Sequence, residues 1–398
     1  MTPERGSSSA GRFRGALAGA AVLLLAATGC SAPGPGKSAS GTATTASAAT
    51  ASPTPRTTRT APATPAGKVA FPWQPGRPQL GIQVFWGDTP KDSDSTIRLK
   101  AERMISYVTS LDANSITISF PFHTSGPEAS EVNSGSDTPS PARLDITVRL
   151  AEAAGLRVTL RPLMDETSLV AAGPNNWRGN IEPADRSAWF ASYQDFLTPY
   201  LELAQRDRVQ TFVIGTEFSS MQNDPRWSGV ISAARADYQG QLTYADNWDS
   251  YVEQSASMPV DQVGVDAYPD LTDLGDNATV PQIVAGWNAW LDQKTTGPLP
   301  DSLFYEVDAP AEQGAYQHPG SWENAGPTLD LTVQANWFKA VCQVAQSRDL
   351  AGLYWWRVDM QQDPAAADPQ HDRTDSWVGR PAADIIRSCF SGWAAATG

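Results

Sequence analysis

Two glutamates in this chain have the placement that acid–base chemistry requires. Glu217, in G-T-E-F, and Glu306, in E-V-D-A, each close an apolar run that reads as a buried strand, Thr211–Gly215 and Ser302–Tyr305. Counted along an alternating strand–helix chain, these are the fourth and seventh strands. Eight such units close into a barrel whose chemistry collects at the carboxyl ends of its strands. Two carboxylates facing each other there are the minimal machinery for splitting a glycosidic bond. Either glutamate alone reads equally well as a salt bridge or a helix cap. As a pair on opposed strands they are assigned Glu217 as acid/base and Glu306 as nucleophile.

The other candidates stand at neighbouring strand ends. Tyr268, in D-A-Y-P, is placed to donate a hydrogen bond to Glu306, with Asp266 on the same side of the strand; a core tyrosine is the alternative. Asn247 and Trp248 follow the fifth strand and suit hydroxyl binding and ring stacking, or a turn beside a packing indole. Trp86 and Trp356 end the first and eighth strands and are the expected stacking floor, since sugar rings present an apolar C–H face to an indole. Arg161 and Asp165, at and past the third strand, form either a polar clamp or an internal ion pair. His123 binds a hydroxyl or is a solvated loop residue. Trp177 and Arg178, in a long insertion, complete the substrate-binding set. His123, His318 and His371 lie far apart with no ligand spacing, so no metal is expected. No cofactor is expected either.

The elements that must position these groups alternate regularly. Strands are expected at Leu80–Trp86, Asn114–Phe120, Arg157–Arg161, the run ending at Glu217, Gln241–Ala245, Gln262–Tyr268, the run ending at Glu306, and Gly352–Trp356. Helices are expected between them, one starting at Asp185 and a weak one before the sixth strand. Eight nearly all-apolar strands alternating with helices imply a parallel sheet covered by helices. The fold class expected is therefore α/β, a (β/α)8 TIM barrel in one domain with loop insertions. A Gly/Ser/Pro-rich stretch up to about Ser140 is expected to be loop.

Ahead of that domain the composition changes twice. Residues 1–29 carry Arg5, Arg12 and Arg14 before an apolar stretch too short to span a membrane, which is the form of a secretory signal. It ends in A-A-T-G-C, which resembles the lipobox of bacterial lipoproteins and implies lipidation of Cys30; ordinary secretion is the alternative. Residues 30–67 are mostly Ala, Ser, Thr, Pro and Gly with no apolar periodicity, and read as a disordered tether. Residues 68–398 are the catalytic domain. Its expected place is the extracellular face of the membrane, held by lipid, or free outside the cell. Cys342 and Cys389, on the last two helices, are expected to pair in an oxidising compartment. With 29 basic against 43 acidic residues the chain is a poor partner for phosphate backbones. A saccharide is the expected partner, the only membrane contact is through Cys30, and the protein is expected to be monomeric.

Four segments together resemble glycoside hydrolase family 113: GTEF at Gly215–Phe218, LTYADNWD at Leu242–Asp249, VGVDAYPDL at Val263–Leu271 and NNWRGNIEP at Asn175–Pro183. The resemblance spans about residues 81–380. It implies a (β/α)8 retaining glycosidase of β-1,4-mannanase type, with Glu217 as acid/base, Glu306 as nucleophile, and Tyr268 and Asn247 in the site. The chain departs from the family pattern at Arg161-Pro162-Leu163, where lysine-proline-histidine is usual. It departs again at Asp308, in E-V-D-A for E-V-G-Y, and at GTEF for GTEL. The expected activity is retaining endo-hydrolysis of a β-1,4-linked polysaccharide, most naturally β-mannan. The alternatives are a β-glycosidase for another β-linked glycan and a non-catalytic glycan-binding lipoprotein, for which opposed carboxylates have no use.

Overall fold

The computed structural model describes residues 67–397 apart from 254–257, 295–298, 321–327 and 373. The expected signal, Cys30 and nearly all of the tether lie outside these residues. The elements run β1 (Gln79–Phe85), α1 (Asp94–Ser110), β2 (Ser115–Thr124), β3 (Val132–Asn133), α2 (Pro141–Ala154), β4 (Arg157–Met164), α3 (Thr167–Ala172), α4 (Arg186–Arg206), β5 (Thr211–Thr216), α5 (Trp227–Asp237), β6 (Gln241–Asn247), α6 (Trp248–Glu253), β7 (Gln262–Asp266), α7 (Val280–Leu291), β8 (Ser302–Glu306), α8 (Leu331–Ser347), β9 (Gly352–Asp359) and α9 (Pro381–Ala396). Every strand but β3 pairs in parallel with two neighbours, and β1 pairs with both β2 and β9. The sheet closes on itself. It is the (β/α)8 barrel.

Alternation along each strand sorts side chains between two cores. Phe212 and Ile214 of β5 join the large apolar layer between sheet and helices, while Val213 points inward to Ala245, Leu303, Tyr305 and Tyr354. Burying a side chain such as Phe212 stabilises the fold by about 1.5–3 kcal/mol. Inside the barrel, several polar groups are paired: Gln83 donates to the Tyr305 carbonyl, Ser119 to Gln83, and Tyr354 to Gln79. Helix starts follow sequence signals. Asp185 caps α4 by accepting from the Ala188 amide, and Ser93 caps α1 from Thr96.

Some boundaries differ from the sequence reading. β2 and β4 run past the barrel to Thr124 and Met164, which gives the Gly/Ser/Pro stretch an edge to pair with; β3 lies antiparallel to β2 there. β7 stops at Asp266, so Tyr268 sits on the following loop. Cys342 of α8 and Cys389 of α9 are joined as a disulfide with 6.1 Å between Cα atoms. The chain enters the domain at the amino-terminal face of the barrel. There the Gly67 amide donates to Ser106 at 3.2 Å and the Val69 amide to the Ala154 carbonyl at the end of α2.

Candidate active site

Glu217 follows directly on β5, and its backbone takes φ +53°, a left-handed conformation rare for a residue with a Cβ. Two bonds hold it: its amide donates to the Ala245 carbonyl at 2.8 Å, and the Phe218 amide to the Tyr244 hydroxyl at 2.9 Å. Such a conformation costs of order 1–3 kcal/mol and persists only when its surroundings over-determine it. Gly215 opens the G-T-E-F segment because a Cβ there would lie 2.8 Å from the rings of both Trp227 and Tyr244. The register between β5 and β6 shifts between Val213 and Thr216, which turns the strand end toward the barrel mouth.

Glu306 ends β8, opposite Asp266 across a second register shift. Each of its carboxylate oxygens receives one donor. Arg161 reaches Oε2 at 2.5 Å, and the Tyr268 hydroxyl reaches Oε1 at 2.9 Å. Burial first, then the charges of Glu306, Asp308 and Asp266, hold the Tyr268 phenol well above its usual pKa, so it remains a donor. Arg161 is fully buried and also contacts Asp266 Oδ2 at 2.6 Å and Thr216 Oγ1 at 3.3 Å. Burial alone would lower the Arg161 pKa, but Asp266 and Glu306 outweigh it and hold it above its usual value. Burial also favours a neutral Asp266, yet its oxygen lies against a guanidinium that keeps its charge, so this pair is ionic.

Glu217 is handled differently. Burial is the largest influence on it and, with the nearby Glu306 and Glu166 charges, lifts its pKa to about 7 against the pull of Arg178 and Arg161. Arg178 Nη1 lies 2.7 Å from Glu217 Oε2. Glu166 steadies that arginine, accepting from its backbone amide at 3.1 Å and lying 3.2 Å from Nη2. The W-R-G turn places Arg178 through Gly179, where a Cβ would fall 2.2 Å from the Trp177 indole. One carboxyl group is thus poised to gain and lose a proton near neutrality, while the other is held by two donors. That division of labour is the one glycosidic cleavage needs.

The structure brings Glu217, Glu306, Tyr268, Arg161 and Arg178 together as one polar constellation. Arg161 contacts Asp266 and Glu306 instead of forming a clamp with Asp165. Asp165 lies 3.6 Å from His123 Nδ1 and accepts from the Thr167 amide, and the far side of the His123 ring meets Asp137 at 2.7 Å. Trp356 lines a cavity of about 180 Å³ at the barrel mouth, but Trp86 is 1% exposed within the apolar core and offers no stacking face. Phe85, one residue earlier, lines the cavity instead, with its ring 6.2 Å from that of Trp356. Asn247 is buried and donates to Asp249; Trp248 is half-buried against the helix layer. Glu166, Phe85 and Arg357 line the same cavity and were not singled out in the sequence. A larger cavity of about 410 Å³ opens on the opposite, amino-terminal face beside Trp73 and Arg157, away from all of these groups.

Residues 86–376 match the family described as Glycoside Hydrolase Family 113. No curated protein matches the chain significantly in sequence. Among solved structures, the family 113 β-mannanase AaManA from Alicyclobacillus acidocaldarius is similar in fold, with 22% identity and a TM-score of 0.63 over 80% of this chain and 98% of that one. A family 113 β-1,4-mannanase gives 20% identity and a TM-score of 0.63 over 79% and 99% of the two chains. The matched segment covers most of the barrel and both strand-end glutamates, and this chain belongs to glycoside hydrolase family 113.

Proposed function

We propose that this glycoside hydrolase is a retaining, endo-acting β-glycanase for β-1,4-linked polysaccharide, with β-mannan as its first substrate. The observation that carries the reading is the unequal setting of the two glutamates: Glu217 is buried against a single arginine, with burial pushing its pKa up to about 7, while Glu306 is held by two donors, Arg161 and Tyr268. In the first step Glu217 gives its proton to the interglycosidic oxygen as the C1–O bond breaks. A Glu306 oxygen then bonds to C1. In the second step Glu217 takes a proton from water, the water oxygen bonds to C1, and Glu306 is released. Arg178 suits both halves of this cycle, because it stabilises the carboxylate that Glu217 becomes after giving up its proton.

The mannan assignment draws on the two solved mannanases of the same family. Arg161 and Asp308 depart from the family pattern beside the nucleophile, so the test is a panel of β-mannan, β-glucan, xylan and chitosan with product analysis. Cleavage of another member of the panel in preference to mannan replaces the substrate and keeps the mechanism. Glu306→Ala abolishes turnover on every substrate. Glu217→Ala loses about 10²–10⁴-fold on poor leaving groups and far less on activated aryl glycosides. Equal losses on the two substrate types would remove Glu217 from the acid/base role. From the A-A-T-G-C segment we further propose that the enzyme is held outside the cell by a lipid at Cys30; a Cys30→Ser variant that stays as membrane-associated as the parent would overturn this.

A further inference from the structure

The amino-terminal face of the barrel holds a buried positive charge that no carboxylate answers. Arg157 opens β4 and is 8% exposed. Its Nη2 donates to Thr211 Oγ1 and Gln241 Oε1, both at 2.6 Å, and its guanidinium lies 4.5 Å from the centre of the Trp73 ring. All three partners are neutral, and Nε has none. Arg161 and Arg178, also buried, each meet two carboxylates. Buried charges are ordinarily paired in that way. Among the described residues Arg157 makes no ion pair.

Arg157 lines the cavity of about 410 Å³, as does a second arginine, Arg208. Arg208 is exposed; Glu152 feels its charge, but the two form no ion pair. No carboxylate lines the cavity among the described residues. The Gln210 amide is occupied at both ends, by the Val158 amide and the Arg208 carbonyl, and Gln241 by Arg157 and Gln262. Gln205 accepts from the Gln239 amide, which leaves its NH2 group as a donor. The side-chain groups without a partner are thus all donors. Trp73, Ala204, Val209 and Tyr238 supply an apolar wall, with the Tyr238 hydroxyl turned to the Val209 carbonyl.

We propose that this cavity is a second, non-catalytic binding site for a uronate, a pyranose that carries a carboxylate. The carboxylate supplies the counter-charge that Arg157 lacks and accepts from Arg208 and Gln205. The C–H face of the ring covers the apolar wall. A bare inorganic anion needs neither that wall nor a volume in the range of about 300–1,000 Å³ usual for small-molecule sites. With 43 acidic against 29 basic residues the chain as a whole repels anions, so the attraction is local to the two arginines. The cavity opens at the other end of the barrel from Glu217 and Glu306, and the inference does not depend on the glycanase reading.

The test is calorimetric titration of the parent with methyl β-glucuronide, methyl β-glucoside and inorganic phosphate at constant ionic strength. The glucuronide should bind saturably, and the glucoside and phosphate each roughly tenfold more weakly or worse. Added salt should weaken the glucuronide, because Arg208 is exposed to screening. Arg208→Glu reverses a surface charge and should weaken the glucuronide about ten- to hundredfold at an unchanged melting temperature. Arg157→Gln should weaken it at least as much; Arg208→Glu decides the matter where that buried variant does not fold. No saturable glucuronide binding, equal affinity for the glucoside or for phosphate, or an unchanged affinity in Arg208→Glu would each overturn the proposal. Failure to cleave any polysaccharide overturns the glycanase reading and leaves this one standing.

Discussion

Replacing Arg178 by glutamine probes the proton economy of the site most directly. In the native protein Arg178 is the strongest influence lowering the Glu217 pKa, through a 2.7 Å contact, and it works against burial and the charges of Glu306 and Glu166. An opposite charge at that range displaces a carboxyl pKa by about 1–3 units. The contact is about nine-tenths buried on both sides, so solvent screens it little. Its removal also leaves Glu166 facing the site without its cation. We expect Glu217 to rise from about 7 by about one to two units, or about 1.4–2.7 kcal/mol. As the acid, Glu217 must be protonated, so activity falls as pH rises through its pKa. The basic limb of kcat/KM against pH, measured on a substrate with a poor leaving group, should therefore move upward by that amount. Glu166→Gln removes a repulsive charge and should move the same limb downward. A limb that stays in place in Arg178→Gln, or moves to lower pH, refutes the assignment of Glu217 as the titrating acid.

Three further outcomes follow from other contacts. Tyr268→Phe deletes one of the two donors to Glu306 and should lower kcat about ten- to hundredfold with an unchanged far-ultraviolet circular dichroism spectrum; unchanged turnover would leave Tyr268 a packing residue. Gly179→Ala places a methyl group against the Trp177 indole and displaces the neighbouring Arg178, so kcat should fall with little loss in melting temperature. The double replacement of Cys342 and Cys389 by serine opens a link across a sequence separation of 47 and should cost about 2–4 kcal/mol in denaturant unfolding, with the site's activity intact below the transition.

The barrel was legible because each strand is a short apolar run bounded by turn residues, and closure follows from the count. Glu217 and Glu306 stood out as candidates because each is a charged residue closing such a run, although only the pair, and not either residue alone, separates the site from a salt bridge or a helix cap. The aromatic floor was misplaced by one residue. Side chains alternate sides along a strand, so ending β1 at Phe85 instead of Trp86 exchanges a core residue for a cavity residue. The Tyr268–Glu306 and Cys342–Cys389 contacts were expected, but the partners of the buried arginines were not legible. Arg161 meets Glu306 across 145 positions and Asp266 across 105, and no local pattern announces either contact. Glu166 is nearer, 12 positions from Arg178, but the two meet only because α3 and the Trp177–Gly179 turn fold the insertion back over the strand ends. The abundance of tryptophan is mostly a core property: Trp189, Trp287, Trp337, Trp355 and Trp377 are all sealed within the fold.

The point where the chain enters the barrel has a practical consequence. Gly67 and Val69 are fastened beside the carboxyl ends of α1 and α2, at the opposite end of the barrel from Glu217 and Glu306. Residue 67 itself therefore lies at the end of the barrel away from the cleft mouth. A fusion partner or resin joined directly at residue 67 is attached at that same end. That makes residue 67 the end by which to immobilise the catalyst.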